Sequence, residues 1–471
     1  MQTNLFEPMK PEPASVQTTG HWRALWACAL GVAFLLQILA AFRGGYVGPD
    51  YDRHLERMLS SSSLFDFSTS NPPIYLLLGH ALFRLIGKNV GFPITLAIIQ
   101  ASINTVAMWW FFLFTQPRFR SQLVHLGLVF FLTFLPVRVI HSITAGDDWT
   151  TIPVFVLLLY SLEKLRSGVP SVRSAFVVGL ILALGVWSKY SFMALIPVLF
   201  VLLVVLWRKR SWKLQQFLLI CILGLAIPSA LLLSTFWVSG QWKEAKGRTV
   251  RFIPRRGAPG QPDMGWKELF SVKKNDLQLF KAPEYFGSAD RRGPRYLGEN
   301  IRAAHKHSYL GLAHLGTFTD TMNLFQQLPG SHSVDRVLIP DFKIRPPWKT
   351  PVMQAAMSLG TLWTILALIA TPWLSFTALR DLLQDKLQRE DITILLGIAY
   401  FLLMFLPIPL VYSGALGGAW TPRYILVPLL CFFWAAFLFL DRTVVAKWPS
   451  SAFGVVAVAA IQSSIEIVML A

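Results

Sequence analysis

Long, uninterrupted apolar runs are the feature of this sequence that most restricts its fold. They recur along most of the 471 residues, and only 14% of the residues are charged, against about a quarter in soluble domains. Within a bilayer only helices and closed barrels can bond all of their own backbone polar groups. The runs are continuous and do not alternate, which favours helices over barrel strands. The sequence therefore predicts an all-α, polytopic membrane helical bundle.

About eleven of these runs are long enough to cross a membrane as helices. Another run, 73–86, is short, follows Pro72 and contains His80 and Arg84, so we predict that it lies in the membrane interface. The predicted spans are 24–42, 92–115, 123–141, 150–164, 174–188, 190–207, 214–238, 352–379, 392–411, 421–440 and 452–470.

The charge of the loops sets the predicted orientation. With residue 1 in the cytoplasm and 73–86 counted as non-spanning, every short basic loop falls on the cytoplasmic side, as the positive-inside rule requires. Counting 73–86 as a span would turn all of these loops outward. The predicted cytoplasmic loops are 116–122, 165–173, 208–213, 380–391 and 441–451. The outer side then carries the loops 43–91 and 142–149, a long loop from 240 to 350, and the turn 412–420.

This topology divides the chain into four parts. Residues 1–23 are predicted to be a disordered cytoplasmic tail, and 24–238 a transmembrane module with acidic outer loops. Residues 239–350 are predicted to form a small, partly helical outer cap, and 351–471 the C-terminal membrane helices. Topology and anionic lipid explain the net charge of +18, so we predict no nucleic-acid partner.

Two acidic pairs lie in the predicted outer loops. Asp50 and Asp52 follow the first span, and Asp147 and Asp148 precede the fourth, so both pairs fall on one side. A carboxylate at the mouth of a membrane helix can act as a general base on an acceptor hydroxyl or amine. The plainer interpretations are solvated loop acids for the first pair and helix capping for the second. The second pair could also hold a divalent cation.

Cationic residues fall on the same predicted side. Lys189 lies in a nearly loopless Ser-Lys-Tyr break between two spans, where it opposes the positive-inside rule. It therefore calls for an anionic partner, either a lipid phosphate or the second acidic pair. Arg423, followed by Tyr424, opens a later span, and a guanidinium group suits bidentate phosphate binding. Interfacial anchoring is the plainer interpretation of both sites.

In their order and sidedness, these motifs resemble the GT-C superfamily of integral-membrane glycosyltransferases. The most similar members are bacterial ones near protein O-mannosyltransferases (glycosyltransferase family 39) and the aminoarabinose transferases of lipid A. The resemblance covers 24–207 well, and the C-terminal half through Arg423-Tyr424. Asn71 departs from the family pattern, because relatives often place His, Lys or an acid at the position before the pair that is Pro72-Pro73 here.

The resemblance implies an enzyme of the bacterial inner membrane whose active site faces the periplasm. Such enzymes move a sugar from a polyprenyl-phosphate carrier to a glycan, lipid or protein acceptor and invert the anomeric centre. Members that use monophosphate carriers generally need no metal, so no cofactor is firmly expected and a divalent cation stays open. The implied groups are Asp50 or Asp52 as the base, Asp147 or Asp148 as the second-loop acid, and Lys189 or Arg423, with Tyr424, at the carrier phosphate.

A transporter or flippase of lipid-linked sugars is the main alternative. Transporters place ionisable groups near the bilayer midplane and often carry inverted repeats. In this sequence the acids lie at the ends of spans and no repeat is visible. These features favour the enzyme.

Overall fold

The structure is a computed structural model. It describes residues 20–46, 58, 73–87, 91–144, 146, 148–167, 171–210, 213–223, 230, 309–319, 327–334, 337–342, 348–384, 386, 388–405 and 425–471. These residues form a bundle of α-helices with one β-hairpin. The membrane-helical class predicted from the apolar runs is therefore confirmed.

The helices follow the predicted apolar runs closely. They are α1 Gly20–Phe42, α2 Pro73–Ile86, α3 Gly91–Thr115, α4 Gln122–Phe134, α5 Pro136–His141, α6 Thr151–Ser167, α7 Val172–Ser188, α8 Leu195–Arg210, α9 Leu214–Cys221, α10 Tyr309–Phe318, α11 Lys349–Leu383, α12 Arg389–Phe405, α13 Leu426–Leu440 and α14 Ser451–Leu470. Short 3-10 helices cover Gln116–Arg118, Asp148–Thr150 and Tyr190–Ala194, and Asp441–Val445 is π-helical.

Within the described residues, six helices are long and apolar enough to cross a membrane. They are His21–Phe42, Gly91–Arg118, Ser191–Arg208, Pro351–Leu383, Leu426–Val445 and Ser451–Leu470. The count of eleven spans stays a prediction, because parts of the predicted spans 214–238, 392–411 and 421–440 lie outside the described residues. Helix α2 has 14 residues and is about 21 Å long, short of the roughly 30 Å bilayer core, as expected for an interfacial helix.

The predicted span 123–141 is not one helix. It breaks into α4 and α5 because Pro136 has no N–H to continue the ladder of hydrogen bonds. The buried Arg138 side chain bonds the carbonyls that the break leaves open. Its Nε donates to Leu132 O at 2.9 Å, and its Nη2 donates to Thr133 O. A guanidinium group thus takes the place of water at a helix end inside the bundle.

The outer cap contains a strand pair that the sequence did not predict. Strands β1 (Gln327–Val334) and β2 (Val337–Phe342) are antiparallel, with Gln327 opposite Phe342 and Val334 opposite Val337. The described part of this loop therefore contains β structure beside the helix Tyr309–Phe318, where the sequence predicted a partly helical cap. Pro and Gly residues in the strands hid the pattern, since they weaken the usual β signal.

Helix α10 of the cap docks on α11 through a buried histidine. His314 Nε2 lies 3.0 Å from Thr361 Oγ1, and its Nδ1 lies 3.2 Å from Thr364 Oγ1. Burial lowers the pKa of His314 to about 4, so the ring is neutral, and one nitrogen donates while the other accepts. Phe318 fits against Gly360, where a Cβ would lie 2.5 Å from its ring.

Helix α4 is the centre of the bundle and packs against α1, α13 and α14. Its Phe131 ring lies 4.8 Å from that of Phe433 and 5.0 Å from that of Trp363. By contrast, Leu368 and Phe376 on α11 are 68% and 72% exposed. An apolar face of this kind on a helix of spanning length is suited to lipid.

One end of the bundle is held by ion pairs around a buried carboxylate. Arg118 Nε lies 3.0 Å from Glu390 Oε2 as an ion pair, and Arg442 Nη2 donates to Glu390 Oε1 at 2.6 Å. Asp441 accepts hydrogen bonds from two backbone N–H groups of the 116–122 loop, at 2.8 and 3.0 Å. Three of the predicted cytoplasmic loops therefore meet here. We call this region, defined by Arg118, Glu390, Asp441 and Arg442, the basic end.

The opposite end of the bundle brings together the C-terminal ends of α1 and α14. The first half of α1 lies toward the basic end, since Trp26 packs against His125 in the first turn of α4, with ring centroids 4.9 Å apart. At the other end of α1, Arg43 Nη1 donates to Ala471 O at 2.8 Å. We call this opposite region the distal end. That the distal end faces outward stays a prediction.

Candidate functional site

A buried ion pair between Asp148 and Lys189 is the centre of the candidate site. Lys189 Nζ contacts Asp148 Oδ1, and the two side chains are only 6% and 4% exposed, respectively. Two buried charges of opposite sign offset part of each other's cost of leaving water. The second acidic pair was one of the two partners that the sequence offered for Lys189.

The chain around Lys189 explains how a lysine comes to lie inside the bundle. Its backbone is extended between α7 and the next 3-10 helix, with its N–H on Gly185 O at 2.8 Å. Phe192 N donates back to Lys189 O at 3.0 Å, which folds the chain tightly over the end of α7. Gly185 permits this fold, because a Cβ there would lie 2.6 Å from the Phe192 ring.

Asp148 is presented by the short 3-10 helix that precedes α6. Thr151 Oγ1 donates to Asp148 O at 2.7 Å, and Asn104 Nδ2 of α3 donates to Trp149 O at 3.0 Å. In the amide orientation that satisfies both neighbours, Gln100 accepts from Trp149 Nε1 and donates to Ile143 O, each at 3.3 Å. The loop that carries Asp148 is thus bonded to α3 at several points.

The last turn of α5 and the start of the same loop are bonded to α1. Gln37 Nε2 donates to Val139 O at 3.3 Å and also bonds Ser142 Oγ. Ser142 Oγ in turn donates to Val139 O at 2.7 Å. Since Gln37 lies in the distal half of α1, the Asp148 loop lies at the distal end.

The residues that flank the first acidic pair belong to the same region. Asp50 and Asp52 lie outside the described residues, but Tyr46 and Met58 on either side of them are 5% and 2% exposed. Both belong to one hydrophobic cluster with Trp149, beside Asp148. Burial raises the pKa of Tyr46 to about 12, so its phenol is neutral. Segments leading to both predicted acidic pairs therefore converge.

Helix α2 holds Met58 through a histidine. His80 Nδ1 lies 3.1 Å from Met58 O, and Arg84 Nε lies 3.2 Å from His80 Nε2. An arginine can only donate, so Nε2 accepts and the proton is on Nδ1, which donates to the carbonyl. A Cβ at Gly79 would clash with Met58 Sδ, so the glycine allows this contact. Because α2 also packs against α7, the anchor of the first acidic segment lies beside the helix that ends at Lys189.

Two of the seven predicted site residues can be placed. Asp148 and Lys189 are brought together as a buried pair. The other five lie outside the described residues, and their roles stay predictions: Asp50, Asp52, Asp147, Arg423 and Tyr424. Among the described residues no group of three or more His, Cys, Asp or Glu side chains could hold a metal ion.

Sequence reasoning missed the polar side chains that hold this region. Gln37, Gln100 and Asn104 lie inside apolar runs, and all three are at most 1% exposed. Their position inside apolar runs could have pointed to them, because amide side chains in a membrane helix need hydrogen-bond partners and mark contacts between helices. His80 was noted only as a polar interruption of the interfacial run.

Among the comparisons with known proteins, the one with solved structures found matches. No protein-family model and no curated protein sequence matches this chain. Among solved structures, a match is ArnT from Cupriavidus metallidurans bound to undecaprenyl phosphate. It is 16% identical with a TM-score of 0.37, and the match covers 92% of this chain and 79% of that one. At this identity and TM-score the likeness shows neither the activity nor the ligand of this chain.

Proposed function

We propose that the protein is a membrane glycosyltransferase that moves a sugar from a polyprenyl-phosphate carrier to an acceptor at the outer face of the inner membrane. The transfer inverts the anomeric centre of the sugar. The observation that carries the proposal is the buried Asp148–Lys189 pair at the distal end. The segments that flank Asp50 and Asp52 converge on the same end. In our proposal the site combines these acids with the Lys189 cation at the edge of the membrane.

The acids supply the base that the reaction needs. In our proposal Asp50 or Asp52 accepts the proton of the acceptor hydroxyl or amine as that group attacks the anomeric carbon. The bond from the anomeric carbon to the phosphate oxygen breaks on the opposite face, and its electron pair leaves with the carrier phosphate. A phosphate is a good leaving group, so no general acid is needed.

The cations stabilise the departing phosphate. Lys189 is directed by Asp148, so its ammonium is held in place rather than left to move as a surface lysine would. Arg423, with Tyr424, is proposed to complete the phosphate contact through its planar pair of donors. Asp147 is proposed to share the second acidic site, where a divalent cation could add to the positive charge.

A reconstituted assay tests the proposal. Purified protein in vesicles is given polyprenyl-phosphate-linked sugars together with an extract of acceptor membranes, and release of polyprenyl phosphate and labelling of the acceptor are measured. Asp50→Asn and Asp52→Asn remove the base with little change in shape, so transfer should fall by a factor of 100 or more in at least one of them. Asp381→Asn, at a carboxylate beyond the predicted outer loops, is the matched control and should keep full activity.

The same vesicles separate the enzyme from a transporter. A flippase moves the intact lipid-linked sugar between leaflets and breaks no bond, whereas the proposed enzyme releases polyprenyl phosphate. Transfer that is unchanged in both Asp50→Asn and Asp52→Asn would show that the enzyme assignment is wrong. Movement of intact donor without release would favour the transporter.

A further inference from the structure

Three buried amide side chains hold the loop that carries Asp148. Gln37 comes from α1, and Gln100 and Asn104 lie one turn apart on α3. We call these three residues the amide clamp. Among the residues that the structure describes, their hydrogen bonds outside their own helices go to one short stretch of chain, between Val139 and Trp149.

The clamp grips Trp149, the residue next to Asp148, at two points. Asn104 Nδ2 bonds its carbonyl at 3.0 Å, and Gln100 bonds its indole Nε1 at 3.3 Å. Fixing both the backbone and the ring of one residue sets the rotation of the chain there. The side chain of Asp148, one residue earlier, is thereby directed toward Lys189.

General helix adhesion explains these bonds less well. Polar residues in membrane helices often bond across to a neighbouring helix, and such bonds stabilise packing wherever they occur. Here bonds from two helices are concentrated on the connection that runs from the last turn of α5 to the short 3-10 helix carrying Asp148, rather than spread along a neighbouring long helix. Ser102 and Thr105 on the same helix α3 show the contrast, because their described hydrogen bonds go only to carbonyls of α3 itself.

We infer that Gln37, Gln100 and Asn104 are positioning residues that act through Asp148 to hold Lys189 for the phosphate of the carrier. This inference rests on the proposed function for its chemistry, but the geometry that it invokes can be tested without any substrate. Loss of one clamp bond should let the loop rotate and separate the ion pair.

Chemical labelling of lysines measures the pair directly. Purified protein in detergent is treated with a small amine-reactive reagent, and the labelling rate of each lysine is followed by mass spectrometry. Asn104→Ala and Gln100→Ala should each raise the rate at Lys189 about tenfold, since each leaves a buried group without its hydrogen bond. Lys349, which is fully buried, reports general unfolding and should not change.

Two further variants guard against an unfolded protein. Trp149→Phe removes the indole N–H that donates to Gln100, together with one ring of a buried side chain, so it should raise Lys189 labelling as Gln100→Ala does. Thr105→Ala removes a bond from α3 to itself and should leave the rate unchanged. Equal rates at Lys189 in the wild type and all clamp variants would overturn the inference, as would an equal rise at Lys189 and Lys349.

Transfer activity gives an independent arm. In the vesicle assay, Asn104→Ala should lower kcat about tenfold, and it should add no further loss when Asp148 is already Asn, because residues that act through one group are not additive. Full additivity would show that Asn104 acts elsewhere. If Asp148→Asn itself keeps wild-type transfer, the pair has no part in catalysis, and if the wild type shows no transfer, the proposed function fails; in both cases the labelling result still decides the clamp.

Discussion

Separating the two halves of the Asp148–Lys189 pair gives the sharpest test of the site. Lys189→Met leaves a carboxylate, and Asp148→Asn leaves an ammonium, in a place where the side chains are only 4–6% exposed. Removing one partner of a buried pair costs about 3–5 kcal/mol, whereas an exposed pair costs about 0–1 kcal/mol. Because both side chains are buried, each single variant should lose about 3–5 kcal/mol of unfolding free energy.

The double variant Asp148→Asn/Lys189→Met should recover most of that loss, because no unpaired charge remains and the volumes are similar. The free energy of unfolding is measured in detergent for the wild type, the two single variants and the double variant. If the double variant is as stable as the wild type yet inactive in the vesicle assay, the pair serves chemistry rather than packing. Single variants that each cost under about 1 kcal/mol would refute the reasoning, since the pair would then be solvated.

Three further predictions concern stability in detergent. Glu390→Gln should cost about 1–3 kcal/mol in unfolding experiments, because it leaves two partly exposed arginines without their shared carboxylate. Burial raises the pKa of Asp391 from 3.8 to about 7, so its folded form binds its proton more tightly and its contribution to stability declines from about pH 4 to 7. Asp391→Asn should therefore raise the melting temperature at pH 8 but not at pH 4. Gly185→Ala should cost about 1–3 kcal/mol through its clash with Phe192, and Phe192→Leu in the same chain should relieve part of that cost.

The helices could be predicted from sequence because the bilayer imposes a simple rule. Continuous apolar runs become helices, and their bounds follow the runs, as α2 shows by covering 73–86. The charges in short loops predicted which loops meet at one end, and Glu390 joins three of them. These features depend on local composition, so a single sequence carries them.

The site could be predicted only in part, for a different reason. The unfavourable charge of Lys189 at a predicted outer position called for an anion, and the second acidic pair was one of the two partners that the sequence offered. The amides at 100 and 104 could not be paired with Trp149 in advance, because hydrogen bonds between distant segments leave no periodic trace. The break at Pro136 could be expected from that proline. The hydrogen bond from Arg138 to the open carbonyl of Leu132 could not, because it depends on the side-chain conformation of Arg138.

The ion network at the basic end has a mechanical consequence for substrate entry. Four charged residues there tie together loops that lie as far as 321 positions apart in sequence. Under the proposed function, a lipid-linked donor that enters from the bilayer at the distal end would have to move helices apart there. Because the basic end is tied, we expect helix tilting to be smallest at that end and largest at the distal end, beside Asp148.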